Sequence, residues 1–358
     1  MERSGTNTIR LGALMIGGGH PIVVQSMNNT DTRDVVGTLR QINMLKQAGC
    51  ELTRVAIPDA EAARALAEIV SKSPIPVVAD IHFDPRLAMA AIENGAAKIR
   101  INPGNIKDRT ALAKIAKSAK ARGIPIRVGV NSGSLSKEMI RRFGGVNRDS
   151  MVFSALEAIR LMEDNDFFDL VVSIKSSDPV LTIESYRLLS KKIKYPLHIG
   201  LTEAGTVNEG TIRSSVTIGA LLAEGIGDTI RVSLTGDPVE EVRVAYSILK
   251  SLSLRRHGMT LVSCPTCGRT AVPLIEIAGR VEDMIRDLPY DLKVAVMGCA
   301  VNGPGEAREA DIGIAGGDGD FLLFQKGNII GRIAPDDVYD VLMKRIHELG
   351  KNNQTDKK

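Results

Sequence analysis

The 358-residue chain contains no tryptophan, and only 3% of its residues are aromatic. Base-stacking surfaces are poorly supplied, which argues against nucleic-acid binding. Charge of one sign is also scarce. With 46 Lys and Arg against 42 Asp and Glu, the formal charge is +4, mild enough to favour an acidic substrate without requiring a polyanion. No long apolar run opens the chain: between Met1 and Met27 the one apolar stretch is interrupted by Gly17-Gly18-Gly19. Neither a secretory signal nor a membrane span is expected, and the protein should be cytoplasmic. Cysteine is the last scarcity, with four in the chain. Three of them fall in two loops, Ser263-Cys264-Pro265-Thr266-Cys267-Gly268-Arg269 and Met297-Gly298-Cys299-Ala300-Val301-Asn302-Gly303-Pro304-Gly305-Glu306. In a reducing compartment such clustering marks metal ligands or redox groups rather than a structural disulfide. Cys50, far away, reads as a small apolar filler.

What the chain has in quantity is a regular alternation of strand and helix. Stretches 9–15 and 21–27 flank the glycine triplet and suggest a hairpin whose second arm continues as a buried strand. Strands follow at 52–56, 76–81, 98–101, 126–130, 170–174, 197–201 and 229–234. Amphipathic helices lie between and after them at 34–47, 59–71, 85–94, 108–122, 150–163, 179–193, 208–224 and 239–252, with an insertion at 132–147. Eight strands and eight helices give an α/β fold, a TIM-type (β/α)8 barrel over residues 1–255. A doubly wound open sheet competes, but the chain lacks a glycine-rich dinucleotide fingerprint. After residue 255 the pattern changes to short strands and two helices, a small α+β domain over 256–350, and 351–358 reads as a polar tail.

Barrel interiors are normally apolar, yet Arg54, Arg100, Arg127, Lys175 and Arg231 stand on strands two, four, five, six and eight, towards their C-terminal ends. Period-two alternation places Asn102 with Arg100, Asn131 with Arg127, Ser173 with Lys175, Ser233 with Arg231 and His82 with Asp80, facing the barrel mouth. A single buried arginine is ordinarily half of a structural ion pair. Five aimed at one point with few carboxylates beside them need an anion, and a diphosphate suits them better than a carboxylate. Asp80, His82 and Glu203 are the titratable groups of the same mouth, with His82 a positioning group or acid beside Asp80 and Glu203 a proton donor. Lys175 also admits a Schiff-base aldolase, which would leave the cysteines without a role.

Structural zinc wants four closed ligands, and the small domain offers three cysteines with His257 the one nearby histidine. An iron–sulfur cluster held by Cys264, Cys267, Cys299 and a carboxylate fits the count better, and Glu306 is the best-placed carboxylate. A non-catalytic phosphometabolite sensor with a metal clip stays open beside the enzyme readings.

With both halves in view, the sequence resembles the bacterial 4-hydroxy-3-methylbut-2-en-1-yl diphosphate synthases of the non-mevalonate isoprenoid pathway, in their short two-domain form. The motifs that carry this are Val24-Gln25-Ser26-Met27-Asn28-Asn29-Thr30-Asp31-Thr32, Ala79-Asp80-Ile81-His82-Phe83, Arg100-Ile101-Asn102-Pro103-Gly104-Asn105 and Leu201-Thr202-Glu203-Ala204-Gly205, together with the two cysteine loops. The resemblance implies an iron–sulfur oxidoreductase. It would open the ring of 2-C-methyl-D-erythritol 2,4-cyclodiphosphate reductively, losing water, with two electrons delivered through a [4Fe–4S] cluster from flavodoxin or ferredoxin. It further implies that Cys264, Cys267, Cys299 and Glu306 hold the cluster. Arg54, Arg100, Asn102, Arg127, Asn131, Lys175, Arg231 and Ser233 would bind the diphosphate, and Asp80, His82 and Glu203 would lie near the reacting carbons. A homodimer with sites shared between subunits is expected as well.

Overall fold

The computed structural model describes residues 3, 5–81, 84–106 and 108–355. They form two compact units, Met1–Arg255 and Arg256–Lys358.

The first unit opens with β1 (Ile9–Leu11) and β2 (Leu14–Ile16), an antiparallel hairpin turning at Gly12-Ala13. The hairpin expected around Gly17–Gly19 therefore lies one turn earlier. Its apolar side chains Ile9, Leu11 and Ile16 are buried against Val23, Leu52 and Val78, inward residues at the N-terminal ends of barrel strands. Each such burial contributes about 1.5–3 kcal/mol, so the hairpin is a stable plug in the barrel floor.

The strand–helix alternation then runs β3 (Val23–Met27), α1 (Val35–Gln47), β4 (Leu52–Ala56), α2 (Ala60–Lys72), β5 (Val77–Asp80), α3 (Pro85–Glu93), β6 (Lys98–Ile101), α4 (Arg109–Arg122) and β7 (Ile126–Asn131). The insertion folds as α5 (Lys137–Arg142) before α6 (Arg148–Glu163). The series closes with β8 (Leu170–Lys175), α7 (Pro179–Ser190), β9 (His198–Ile199), α8 (Val207–Ala223), β10 (Thr229–Ile230) and α9 (Pro238–Ser251). Six of these helices start at an aspartate whose side chain accepts backbone N–H bonds of the first turn, the capping that the sequence pattern calls for. All eight barrel strands pair in parallel in the order β8-β7-β6-β5-β4-β3-β10-β9. The remaining gap closes where Val172 pairs with Leu197 and donates its N–H to Pro196 O at 2.8 Å. β9 and β10 are shorter than the sequence suggests, although Arg231 N–H still bonds Ile199 O at 3.1 Å beyond them.

The second unit is a five-stranded sheet in sequence order: β11 (Thr260–Ser263), β12 (Lys293–Met297), β13 (Ile312–Gly316), β14 (Phe321–Gln325) and β15 (Asn328–Ile333). The first three strands are parallel and the last two pair antiparallel. α10 (Leu274–Ile285) and α12 (Val338–Thr355) bury Leu274, Ile277, Val281, Leu342 and Ile346 in one core with Val294, Val296, Ile312 and Ile314. The four-residue α11 (Gly303–Glu306), absent from the sequence reading, follows the second cysteine loop. α12 continues to Thr355, so residues 351–355, expected in the tail, are helical. No helix among the described residues is long and apolar enough to cross a membrane.

Candidate functional site

The inner face of the barrel is polar at its mouth because two glycines leave room for long cations. A Cβ on Gly129 would stand 2.7 Å from Arg100 Nε, and one on Gly200 would stand 2.8 Å from Lys175 Nζ. Any larger residue at either place would displace a cation.

The cations fall into two groups. Asp80, 3% exposed, holds Arg54 (Nε–Oδ2 3.6 Å) and Arg100 (Nη1–Oδ1 3.4 Å) together. Arg54 also donates to Met27 Sδ at 2.8 and 3.1 Å. Burial, helped by Arg231 and Arg100 and opposed by Asp80, pushes the Arg54 pKa down to about 10, so it stays charged at neutral pH. Arg231 is held by Glu241 of α9 at 3.2 Å, and the same carboxylate accepts bonds from Ser26 Oγ and the Leu234 N–H. Two carboxylates thus hold three of the five cations, and Glu241 is the one the sequence pattern did not mark.

Arg127 and Lys175 form the second group. Arg127 is 2% exposed, and its Nε and Nη1 have no partner among the described residues. Burial, then Arg54 and Arg100, drive its pKa down. A guanidinium resists losing its proton, so Arg127 stays charged despite its burial. Lys175 is pushed well below the ordinary lysine value by burial, then by Arg127, Arg231, Arg54 and Arg100, with no carboxylate among these influences.

Asn102 is buried, and its Oδ1 accepts the Gly104 N–H at 3.2 Å. Asn131 ends β7, half-buried, and Ser233 is half-buried two residues past Arg231. Glu203 is exposed, with φ 53°, a left-handed conformation costing a non-glycine residue roughly 1–3 kcal/mol. Arg213 of α8 steadies that loop by donating to the carbonyls of Ala204 and Ser177. His82 lies outside the described residues. Lys98, fully buried with Nζ unpartnered among the described residues, was missed by the sequence reading although Lys98, Arg100 and Asn102 share one alternating face. Glu241 was missed too, and no local pattern marks it.

In the second unit, Ser263 pairs with Val296, so Cys264 and Cys299 leave the same end of adjacent parallel strands. The Gly298 N–H donates to Cys264 Sγ at 3.2 Å, and the Ala271 N–H to Gly298 O at 2.9 Å, joining the two loops. The Gly303 N–H donates to Cys299 O at 3.2 Å, starting α11, which ends at the exposed Glu306. Among the described residues no three His, Cys, Asp or Glu side chains are grouped to hold one metal ion. A polynuclear cluster gives each ligand its own iron and needs wider spacing than zinc. The three thiols and a carboxylate at one sheet end, with a backbone N–H aimed at one sulfur, fit that group.

The fold and the two sites define a barrel enzyme with an appended cysteine-bearing domain. Residues 6–246 match the GcpE TIM-barrel domain and residues 260–348 the GcpE protein C-terminal domain, and the chain belongs to the GcpE family. Among curated relatives, one from Ruminiclostridium cellulolyticum is 56% identical over 98% of this chain and 99% of its own length. Another, from Clostridium perfringens, is 54% identical over 98% and 100%. Both are named 4-hydroxy-3-methylbut-2-en-1-yl diphosphate synthase (flavodoxin), neither an aldolase nor a sensor. Among solved structures, 3-dehydroquinate dehydratase from Geobacillus kaustophilus aligns with TM-score 0.49 and 16% identity, over 70% of this chain and 100% of that one.

Proposed function

We propose that the barrel mouth binds 2-C-methyl-D-erythritol 2,4-cyclodiphosphate and that the enzyme opens its ring reductively, with loss of water. The product is 4-hydroxy-3-methylbut-2-en-1-yl diphosphate, the compound in its relatives' names. The carrying observation is the imbalance of charge: Arg54, Arg100, Arg127, Lys175 and Arg231 are answered by Asp80 and Glu241 alone among the carboxylates found bonded to them. A diphosphate supplies the missing negative charge and acceptors for bidentate guanidinium bonds.

In this reading Arg127 and Lys175 take most of the phosphate charge. Arg54, Arg100 and Arg231, held by Asp80 and Glu241, orient the ligand, and Asn102, Asn131 and Ser233 donate hydrogen bonds to it. Asp80 and His82 lie near the reacting carbons. Glu203 gives a proton from its carboxyl to the departing hydroxyl, which leaves as water. Cys264, Cys267, Cys299 and Glu306 would hold a [4Fe–4S] cluster, which when bound supplies two electrons singly, received from flavodoxin. Glu306 is the ligand of the four that is an oxygen donor, more readily exchanged than a thiolate. The enzyme works as a cytoplasmic homodimer whose subunits share sites, so mixed dimers of Cys264→Ala and Arg127→Ala chains recover activity.

Anaerobic purification with iron and sulfide analysis, followed by assay of Glu306→Ala, tests the reading. Iron-loaded wild-type protein that turns over, beside a variant that does not, is expected. Active protein without iron would overturn it.

A further inference from the structure

At the mouth and beneath it, four side chains present polar atoms that nothing among the described residues satisfies: Lys98 Nζ, Arg127 Nε and Nη1, His198 Nε2 and both amide atoms of Gln25. They come from β6, β7, β9 and β3, and none is more than 2% exposed. Burying unpaired polar groups is costly, and four together in a barrel interior is a cost that packing alone does not repay. Gln25 has no titratable proton, and Arg127 keeps its charge. His198 already uses Nδ1, bonded to Thr229 Oγ1 at 2.7 Å, and burial beside Lys175, Arg127 and Lys98 holds it neutral. Lys98 is the group whose protonation can follow what fills the mouth.

Around Lys98, seven of the eight barrel strands offer inward charged or titratable groups. These are Arg54 from β4, Asp80 from β5, Arg100 from its own strand, Arg127 from β7, Lys175 from β8, His198 from β9 and Arg231 from beyond β10, while β3 offers the neutral Gln25. The charges acting on it most are Arg127 and Arg54, both cations, added to complete burial. Asp80 is already engaged by Arg54 and Arg100. Burial and these cations therefore push the amine towards its neutral form. A diphosphate in the mouth reverses the local field. At about 10 Å and an effective dielectric near 20, each negative charge favours the protonated amine by more than about tenfold.

We propose that Lys98 is a positioning residue that takes a proton from solvent onto Nζ as the diphosphate enters, so that a cation forms beneath Arg127 when an anion is there to need it. The proton returns to solvent when the product leaves. This rests on the mouth being the diphosphate site.

The test is calorimetric titration of the full-length protein with the cyclodiphosphate, in buffers of different ionisation enthalpy. The ligand's phosphates are already ionised near neutral pH, so protons taken up go to the protein. Wild type takes up protons on binding. Lys98→Met takes up about one fewer per site and binds at least tenfold more weakly, while melting no lower than wild type. Lys98→Gln gives the same comparison if the methionine variant does not fold. Uptake unchanged in the variants, or binding by wild type with no uptake, overturns the role of Lys98 and leaves the mouth site standing. No binding by wild type at all sinks the mouth site, and the proposal with it.

Discussion

Arg100 and Arg127 face each other in direct register on adjacent parallel strands, yet Asp80 is bonded to Arg100, at 3.4 Å, and not to Arg127. Two like charges side by side thus differ in kind: one is paired with a carboxylate, while the other has Nε and Nη1 unpartnered among the described residues and, on the proposed function, waits for a ligand.

Replacing the waiting charge should help the empty protein and harm its function. Arg127→Met is expected to stabilise the ligand-free enzyme by about 1–3 kcal/mol, because it removes buried N–H donors that have no partner among the described residues. Saturating cyclodiphosphate, which at a hundredfold excess over its Kd should stabilise wild type by about 2.7 kcal/mol, should no longer do so in the variant. Thermal melts with and without ligand read both effects.

Removing the shared counter-ion should do the reverse. Asp80→Ala leaves Arg54 and Arg100 buried without their carboxylate and is expected to cost about 3–5 kcal/mol in urea unfolding. Added cyclodiphosphate should recover part of that loss, because it brings back negative charge.

Lys98 and Lys175 set a pH dependence. Both pKa values are lowered by burial in the folded protein, from an ordinary value of 10.5. Between the lowered values and about 10.5, the unfolded chain binds more protons than the folded one, so the stability of the ligand-free enzyme rises with pH. Each lysine contributes about 1.4 kcal/mol per pH unit where it is neutral folded and charged unfolded. Lys98→Met should remove one lysine's share of the slope in unfolding measured from pH 7 to 9.5.

Glu241 serves three groups at once: Arg231, Ser26 and the Leu234 N–H. Glu241→Gln should weaken the hold on Arg231 and lower kcat/KM by about tenfold to a hundredfold, the scale of one charged hydrogen bond. Unchanged steady-state kinetics would show that Arg231 needs no anchor.

The barrel was legible because its signals are local. Asp34, Asp59, Asp108 and Asp178 cap helices, and residues such as Val128, Val130, Val172 and Ile174 alternate with the inward polar set. Arg54, Arg100, Arg127 and Lys175 stood out as charges in strands, and the structure places them on the inner face near its mouth. Glu241 was not legible, since its bond to Arg231 joins a helix to the end of a strand through a turn that no periodicity describes. Lys98 starts its strand, away from the C-terminal halves where barrel sites gather, so its charge alone does not mark it. The hairpin was misplaced because Gly12-Ala13 turns as tightly as the more conspicuous Gly17-Gly18-Gly19.

On the proposed function, the barrel cations gather a cyclic diphosphate for reduction by electrons that pass the cysteine loops. Incubating anaerobically prepared, iron-loaded enzyme with the cyclodiphosphate and reduced flavodoxin tests it most directly. One 4-hydroxy-3-methylbut-2-en-1-yl diphosphate is expected for every two electrons consumed. Iron-loaded enzyme that binds the cyclodiphosphate, accepts electrons and returns the ligand unchanged would contradict it.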